Sequence, residues 1–199
     1  ILEKQNPDHE PGEKTYYHAK THGYLVENLI RKITQKNLKE FFYENFSKKY
    51  DLNFNFGFKE NDFNNVSDLV QNEMEPEKIQ KDFNAFNNSK KWRLAGVPSM
   101  GGHGSGLSIA KLYSILANDL KLDHKKIISQ NKFKKILIQS PSRLDESLKL
   151  PIRWTYSGYI LRGGWMFGKN KNAFGHNGWG GSLGFADPAE GMGIAYVTK

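Results

Sequence analysis

The spacing of apolar residues changes character near Trp154, and this switch limits the chain to a small set of architectures. Upstream, apolar residues recur at helical intervals. Tyr24, Leu25, Val26, Leu29, Ile30 and Ile33 predict a helix from Thr21 to about Thr34. Asn37 then precedes Leu38, Phe41, Phe42 and Phe46, a second amphipathic helix with an aromatic face. Ile109, Leu112, Tyr113, Leu116 and Leu120 predict a third, and residues 125–139 suit another. Downstream, Trp154–Leu161, Ser182–Ala186 and Met192–Thr198 are short, glycine-punctuated β-type segments. Helices first and strands last predict an α+β fold: a mainly helical region over about 20–140 and antiparallel strands over about 150–199. Residues 1–15 read as loop, Leu52–Phe58 as a short strand or irregular segment, and 67–92 is too weakly periodic to assign.

Composition excludes several functions. Lys and Arg number 29 against 21 Asp and Glu, a net charge of +8. Such a balance suits nucleic acid or an anionic membrane when the basic residues cluster. Here the lysines are scattered in ones and twos (the twos being Lys48-Lys49, Lys90-Lys91, Lys125-Lys126 and Lys134-Lys135), which reads as a solvated surface and argues against a nucleic-acid-binding module. Cysteine is absent, so no disulfide framework or thiolate metal cluster exists. The apolar runs fall well short of the ~20 residues that span a bilayer. Among the six histidines, His18 and His22 are four apart, but no HExxH accompanies them. No metal or cofactor is expected.

Three motifs suggest catalysis and fail on context. Gly180-Gly181-Ser182-Leu183-Gly184 matches the G-x-S-x-G elbow, yet Asp187-Pro188 turns into another strand and no histidine follows Ser182. Ser108-Ile109-Ala110-Lys111 and Ser129-Gln130-Asn131-Lys132 match S-x-x-K, a tetrad short enough to arise by chance. Ser105 or Ser108 is more simply a helix N-cap, with Lys111 exposed in the first turn. The glycines of 101–106 lack the Gly-Lys-Ser/Thr of a phosphate cradle and read as a flexible loop.

Two longer segments are more specific. One runs from Pro11 through Tyr16-Tyr17-His18-Ala19 to Gly23-Tyr24-Leu25; the other is Phe174-Gly175-His176-Asn177-Gly178-Trp179-Gly180-Gly181-Ser182-Leu183-Gly184-Phe185-Ala186-Asp187-Pro188. The first resembles the tyrosine segment of the β-lactamase-related serine hydrolases, which include class C β-lactamases, D-alanyl-D-alanine carboxypeptidases, esterases and animal β-lactamase-domain proteins. The second closely resembles the family's segment that stands where a Lys-Thr-Gly motif stands in the lactamases, and Tyr17-His18-Ala19 in the first looks most like the animal and esterase-like branch. The resemblance covers about Glu10 to Lys199. It implies a β-lactamase/transpeptidase-like fold, an antiparallel sheet flanked by helices with a helical region, and hydrolysis of a small-molecule or peptide-like ester or amide through an acyl-enzyme.

Residue by residue, the resemblance implies that Tyr17 takes part in proton transfer beside a serine and a lysine, its phenol lowered by neighbouring positive charge. Tyr16 is its decoy. His176 would line the pocket, Asn177 and Gly178 would meet the substrate, and the Trp179 N–H would be an oxyanion donor. Trp154, Trp165 and Trp179 suit an apolar acyl pocket or a core equally. Both S-x-x-K tetrads follow Tyr17, whereas the family's precedes it, and Ala19 stands where lactamases carry Asn. The expectation is therefore a partial domain without its nucleophile and its C-terminal helix, inactive and marginally stable by itself. A non-catalytic scaffold or binding protein on the same fold is the alternative. Substrate, compartment and oligomeric state stay open.

Overall fold

Thr21–Thr34 forms helix α1 over the residues that the apolar spacing predicts. It stops at Gln35, which turns left-handed (φ 60°) and donates its N–H to the Arg31 carbonyl at 2.9 Å. The computed structural model of the chain describes residues 1–70, 76–118, 120–122, 125–161 and 166–198, without the side chains of 60, 122, 125 and 161. Asn37 caps helix α2, Leu38–Phe42: its side chain accepts from the Glu40 N–H, and the Glu40 carboxylate accepts from the Asn37 N–H. One wider π-type turn, Tyr43–Ser47, continues it. The Phe42 ring then meets Phe46, Phe54 and Phe56 at 5.0 to 5.5 Å, an aromatic knot that seats strand β1, Phe54–Phe56.

The weakly periodic stretch holds helices α3, Glu77–Asn87, and α4, Lys90–Ala95. Ser89 caps α4 by accepting from the Trp92 N–H, and Arg93 is buried in an ion pair with Asp68. The glycine-rich run contains a strand, β2, Gly102–Gly104, rather than loop alone. It pairs antiparallel with β1, placing Asn55 opposite His103. All of these elements lie in one unit, His18–Ser105.

The second unit comprises Glu3–Tyr17 and Gly106–Thr198. Helix α5, Gly106–Ala117, begins earlier than its apolar stripe suggests, so Ser108 lies inside it and is buried. A short hairpin follows, β3 (Lys121–Leu122) with β4 (Lys125–Lys126), then helix α6, Gln130–Ile136, capped by Ser129. Next come the hairpin β5 (Arg143–Asp145) with β6 (Leu150–Ile152), which the sequence pattern does not reveal, and strand β7, Ile160–Leu161. Strands β8 (Phe174–Asn177), β9 (Leu183–Asp187) and β10 (Met192–Tyr196) complete an antiparallel sheet in the order β10-β9-β8-β7.

Helix α5 packs on β9 and β10. The approach is close because Gly193 and Gly184 have no side chain. A Cβ on Gly193 would strike the backbone of Ser114 and Ala110, and one on Gly184 would strike the Tyr113 ring. Beneath the helix, Phe174, Ala117 and Ala186 form a core with Tyr113 and Tyr159 packed against it. A second cluster of Ile152, Ile160, Phe167 and Ala173 underlies Trp154.

Candidate functional site

The site is built on residues 12–17, a strip without helix that the β5–β6 hairpin holds along its length. Arg143 donates to the Gly12 carbonyl, the Glu146 N–H donates to the Thr15 carbonyl at 2.8 Å, and the Ser147 hydroxyl donates to the Tyr17 carbonyl at 3.1 Å. Asp145 anchors the arrangement and is 0% exposed. Its Oδ1 accepts from the N–H groups of Tyr17 (3.2 Å), Ser147 (3.0 Å) and Leu148 (3.0 Å). Its Oδ2 accepts from the Trp154 indole at 3.2 Å.

Trp154 in turn stacks on Tyr17, with centroids 5.6 Å apart and planes 3° from parallel. His176, on β8, closes the group: its ring is 5.8 Å from Tyr17 and 5.8 Å from Trp154, tilted to both. These separations lie in the range of favourable aromatic contact. Tyr16 points elsewhere and packs on His9 at 5.0 Å. The alternation along an extended strip separates the two tyrosines.

Burial pushes the Tyr17 phenol up, and the Asp145 carboxylate pushes it further. This is opposite to the lowering expected from a neighbouring ammonium. The cause is local: the charged group bearing on Tyr17 in these residues is an anion. Tyr17 is therefore a protonated phenol in this setting, equipped to donate a hydrogen bond.

His176 Nδ1 and the Asn177 carbonyl are 2.6 Å apart, so Nδ1 carries a proton and donates to that carbonyl. The Tyr113 phenol oxygen accepts from the backbone N–H of His176, while burial drives that phenol's pKa up. In the sheet, His176 is opposite Gly184 and Asn177 opposite Leu183. Strand β7 begins at Ile160, opposite Gly175, so His176 and Asn177 run past its start.

Beyond Asn177 the chain turns back. The Gly178 N–H donates to the Ser182 carbonyl at 2.6 Å, and Gly180 and Gly181 adopt φ of 86° and 93°, conformations that glycine takes without strain. Trp179 stands out at this tip, 88% exposed. Gly178 differs from the other two in that its φ is not positive, and a Cβ there would meet Ser182 at ordinary distances of 3.5 to 3.6 Å. Internal packing does not demand a glycine at 178.

The other motifs resolve differently. Ser108 is buried within α5 while Lys111 is exposed. Ser129 accepts from the Lys132 N–H as a helix cap. Ser182 precedes β9 and bonds to the Thr198 hydroxyl at 3.1 Å; a strand follows it, not a helix. Trp165 and His124 lie outside the described residues. Among the described residues, no three His, Asp or Glu converge as a metal site, and no helix is long and apolar enough to cross a membrane. A cavity of about 410 Å³ in the His18–Ser105 unit contains none of the candidate residues. Sequence reasoning missed Asp145, whose role depends on partners 128 and 9 positions away.

Solved structures define the class. A family VIII carboxylesterase superposes with a TM-score of 0.85 at 30% identity, covering 98% of this chain and 55% of that one. A penicillin-binding protein homologue from Caulobacter crescentus gives 0.83 at 26% identity, covering 98% and 55%. EstA from Arthrobacter nitroguajacolicus Rue61a gives 0.78 at 24% identity, covering 98% and 56%, a likeness of fold. The fold is thus β-lactamase/transpeptidase-like, and the chain spans about 55% of the length of the first two structures. No curated protein matches the chain. The family model described as Beta-lactamase matches residues 1–199, and the chain belongs to the β-lactamase family.

Proposed function

We propose that these residues form the tyrosine and histidine side of a serine hydrolase that cleaves an ester through an acyl-enzyme. The observation that carries the reading is the adjacency of Tyr17 and His176, whose rings are 5.8 Å apart although 159 residues separate them in sequence. Tyr17 relays the proton between nucleophile and leaving group. The nucleophilic serine and its lysine belong to a part of a longer protein outside these 199 residues, because both internal S-x-x-K tetrads follow Tyr17 whereas the family's precedes it. A lysine ammonium brought beside Tyr17 would oppose the upward pull of burial and Asp145, returning the phenol toward the range where it exchanges protons.

His176 and Asn177 line the pocket where β8 runs past β7. The unneeded glycine at 178 supports close approach of a substrate backbone, and the Trp179 N–H serves the oxyanion. The likeness to a family VIII carboxylesterase at 30% identity favours an ester over a lactam, as does Ala19 in place of asparagine.

The test is ester hydrolysis by the native protein, with mass spectrometry of the enzyme after brief exposure to a p-nitrophenyl ester. We expect one acylated serine outside residues 1–199 and a loss of kcat of about 10²-fold or more in Tyr17→Phe. A folded native protein without an acyl adduct or turnover would be a non-catalytic scaffold, and the proposal would be wrong.

A further inference from the structure

We propose that Asp145 is a positioning residue that locks Tyr17 and Trp154 into one stacked pair facing His176. This rests on Tyr17 being a site residue, as set out above. Asp145 touches neither the space beside the phenol nor any reacting atom. It acts through two other residues, one held by its backbone and one by its ring.

The geometry is economical in partners. A fully buried carboxylate without a cation is costly unless its lone pairs are satisfied. Here four donors satisfy it, and all four are neutral N–H groups. Two of them, from Ser147 and Leu148, fold Asp145's own turn, as an aspartate does in many tight turns. A turn needs no more than that. The other two come from Tyr17 and from Trp154, the two residues that stack on each other. One carboxylate thus fixes the backbone of one ring and the edge of the other, and the planes are left 3° from parallel. Its flanking residues extend the grip, since the Ser147 hydroxyl donates to the Tyr17 carbonyl while the Tyr17 N–H donates to Asp145. Both backbone groups of Tyr17 are therefore held by the same hairpin. The ring has little freedom left except about its own side-chain bonds, and Trp154 restricts those. A proton relay loses rate steeply when its group is displaced by about 1 Å.

The two functions of Asp145 can be separated. Asp145→Asn keeps an acceptor for the turn and Tyr17 amides but presents an NH2 to the Trp154 N–H. Trp154→Phe keeps an aromatic ring and removes that N–H. The experiment is done on the native protein labelled with ¹³C at the tyrosine ring, with the Tyr17 signal assigned by its loss in Tyr17→Phe.

In Asp145→Asn we expect unchanged far-ultraviolet circular dichroism, a Tyr17 signal that loses its ring-current shift, and a phenol that titrates at lower pH than in the parent. We expect ester kcat to fall at least about tenfold with KM changed less than about twofold, and the double variant Asp145→Asn/Trp154→Phe to be little worse than the worse single one. A Tyr17 signal and titration unmoved in Asp145→Asn would overturn the inference. If Tyr17→Phe hydrolyses esters at the parental rate, the proposed function falls, and the Tyr17 resonance still decides whether Asp145 holds the pair.

Discussion

Tyr17 and Trp154 stack with near-parallel planes, 5.6 Å between ring centroids, with the indole N–H bonded to the same buried carboxylate that accepts from the Tyr17 N–H. The pair couples the candidate site to the core, because Trp154 also packs against the cluster of Ile152, Ile160, Phe167 and Ala173. Replacing Trp154 should therefore act on stability as well as on the site. We expect Trp154→Ala to cost about 3 kcal/mol or more and Trp154→Phe about 1–2 kcal/mol, the latter mostly from the orphaned Asp145 oxygen. Urea denaturation followed by circular dichroism distinguishes the two. Equal losses would mean that the ring itself contributes little to packing.

The contact of α5 with the sheet makes a sharper prediction about two glycines. Gly193→Ala places a methyl against the backbone of Ser114 and Ala110, which cannot move without shifting the helix. It should cost about 1–3 kcal/mol. Gly178→Ala meets only ordinary contacts and should change stability by less than about 0.5 kcal/mol. If Gly178 faces substrate, the same variant should raise KM for a bulky ester. Thermal melts of both variants, paired with kinetics of the second, read these effects.

Alkaline pH should destabilise the fold. Tyr17, Tyr113 and Tyr159 all have phenols raised above the ordinary value of 10.0, chiefly by burial. The native state holds these protons more tightly than the unfolded chain does. The stability they contribute is complete below pH 10 and is lost as pH rises through their higher native values. Ultraviolet difference titration should show three of the nine tyrosines ionising late, one fewer in each single Phe variant. All nine ionising together at the ordinary value, in a protein still folded, would contradict this.

The 199 residues by themselves should hydrolyse p-nitrophenyl esters no faster than buffer, since Ser108 is buried and Ser129 caps a helix. They should also self-associate. On α1, Leu25, Leu29 and Ile33 follow one another at four-residue intervals and are 44%, 59% and 80% exposed. Leu29→Lys with Ile33→Lys should raise the soluble fraction and leave the melting temperature nearly unchanged, because little burial is lost. Light scattering of the purified chain and its double variant tests this. Turnover clearly above buffer would show that a competent nucleophile is present after all.

Local pattern determined much of the fold. The i, i+3, i+4 spacing of α1 and the Asn37–Glu40 capping box place two helices before any tertiary contact is considered, because a helix's signals are contained within a few residues of chain. The string Phe174–Pro188 was legible in part: Ser182–Ala186 marks β9, and Gly180 and Gly181 stand where φ is positive, whereas strand β8 was not expected from its pattern. Tyr17 and His176 were each legible as members of a resemblance. What the sequence could not show is that they meet, that Trp154 rather than Tyr16 is the ring beside Tyr17, or that Asp145 ties them together. Nor could it show the direction of the Tyr17 shift, which depends on the anion that folding brings close. Helices α3 and α4 and the β5–β6 hairpin were hidden for the same reason. Their residues are satisfied by partners far along the chain, such as Asp68 for Arg93 and residues 12–17 for the hairpin, and a window of neighbouring residues does not contain that information.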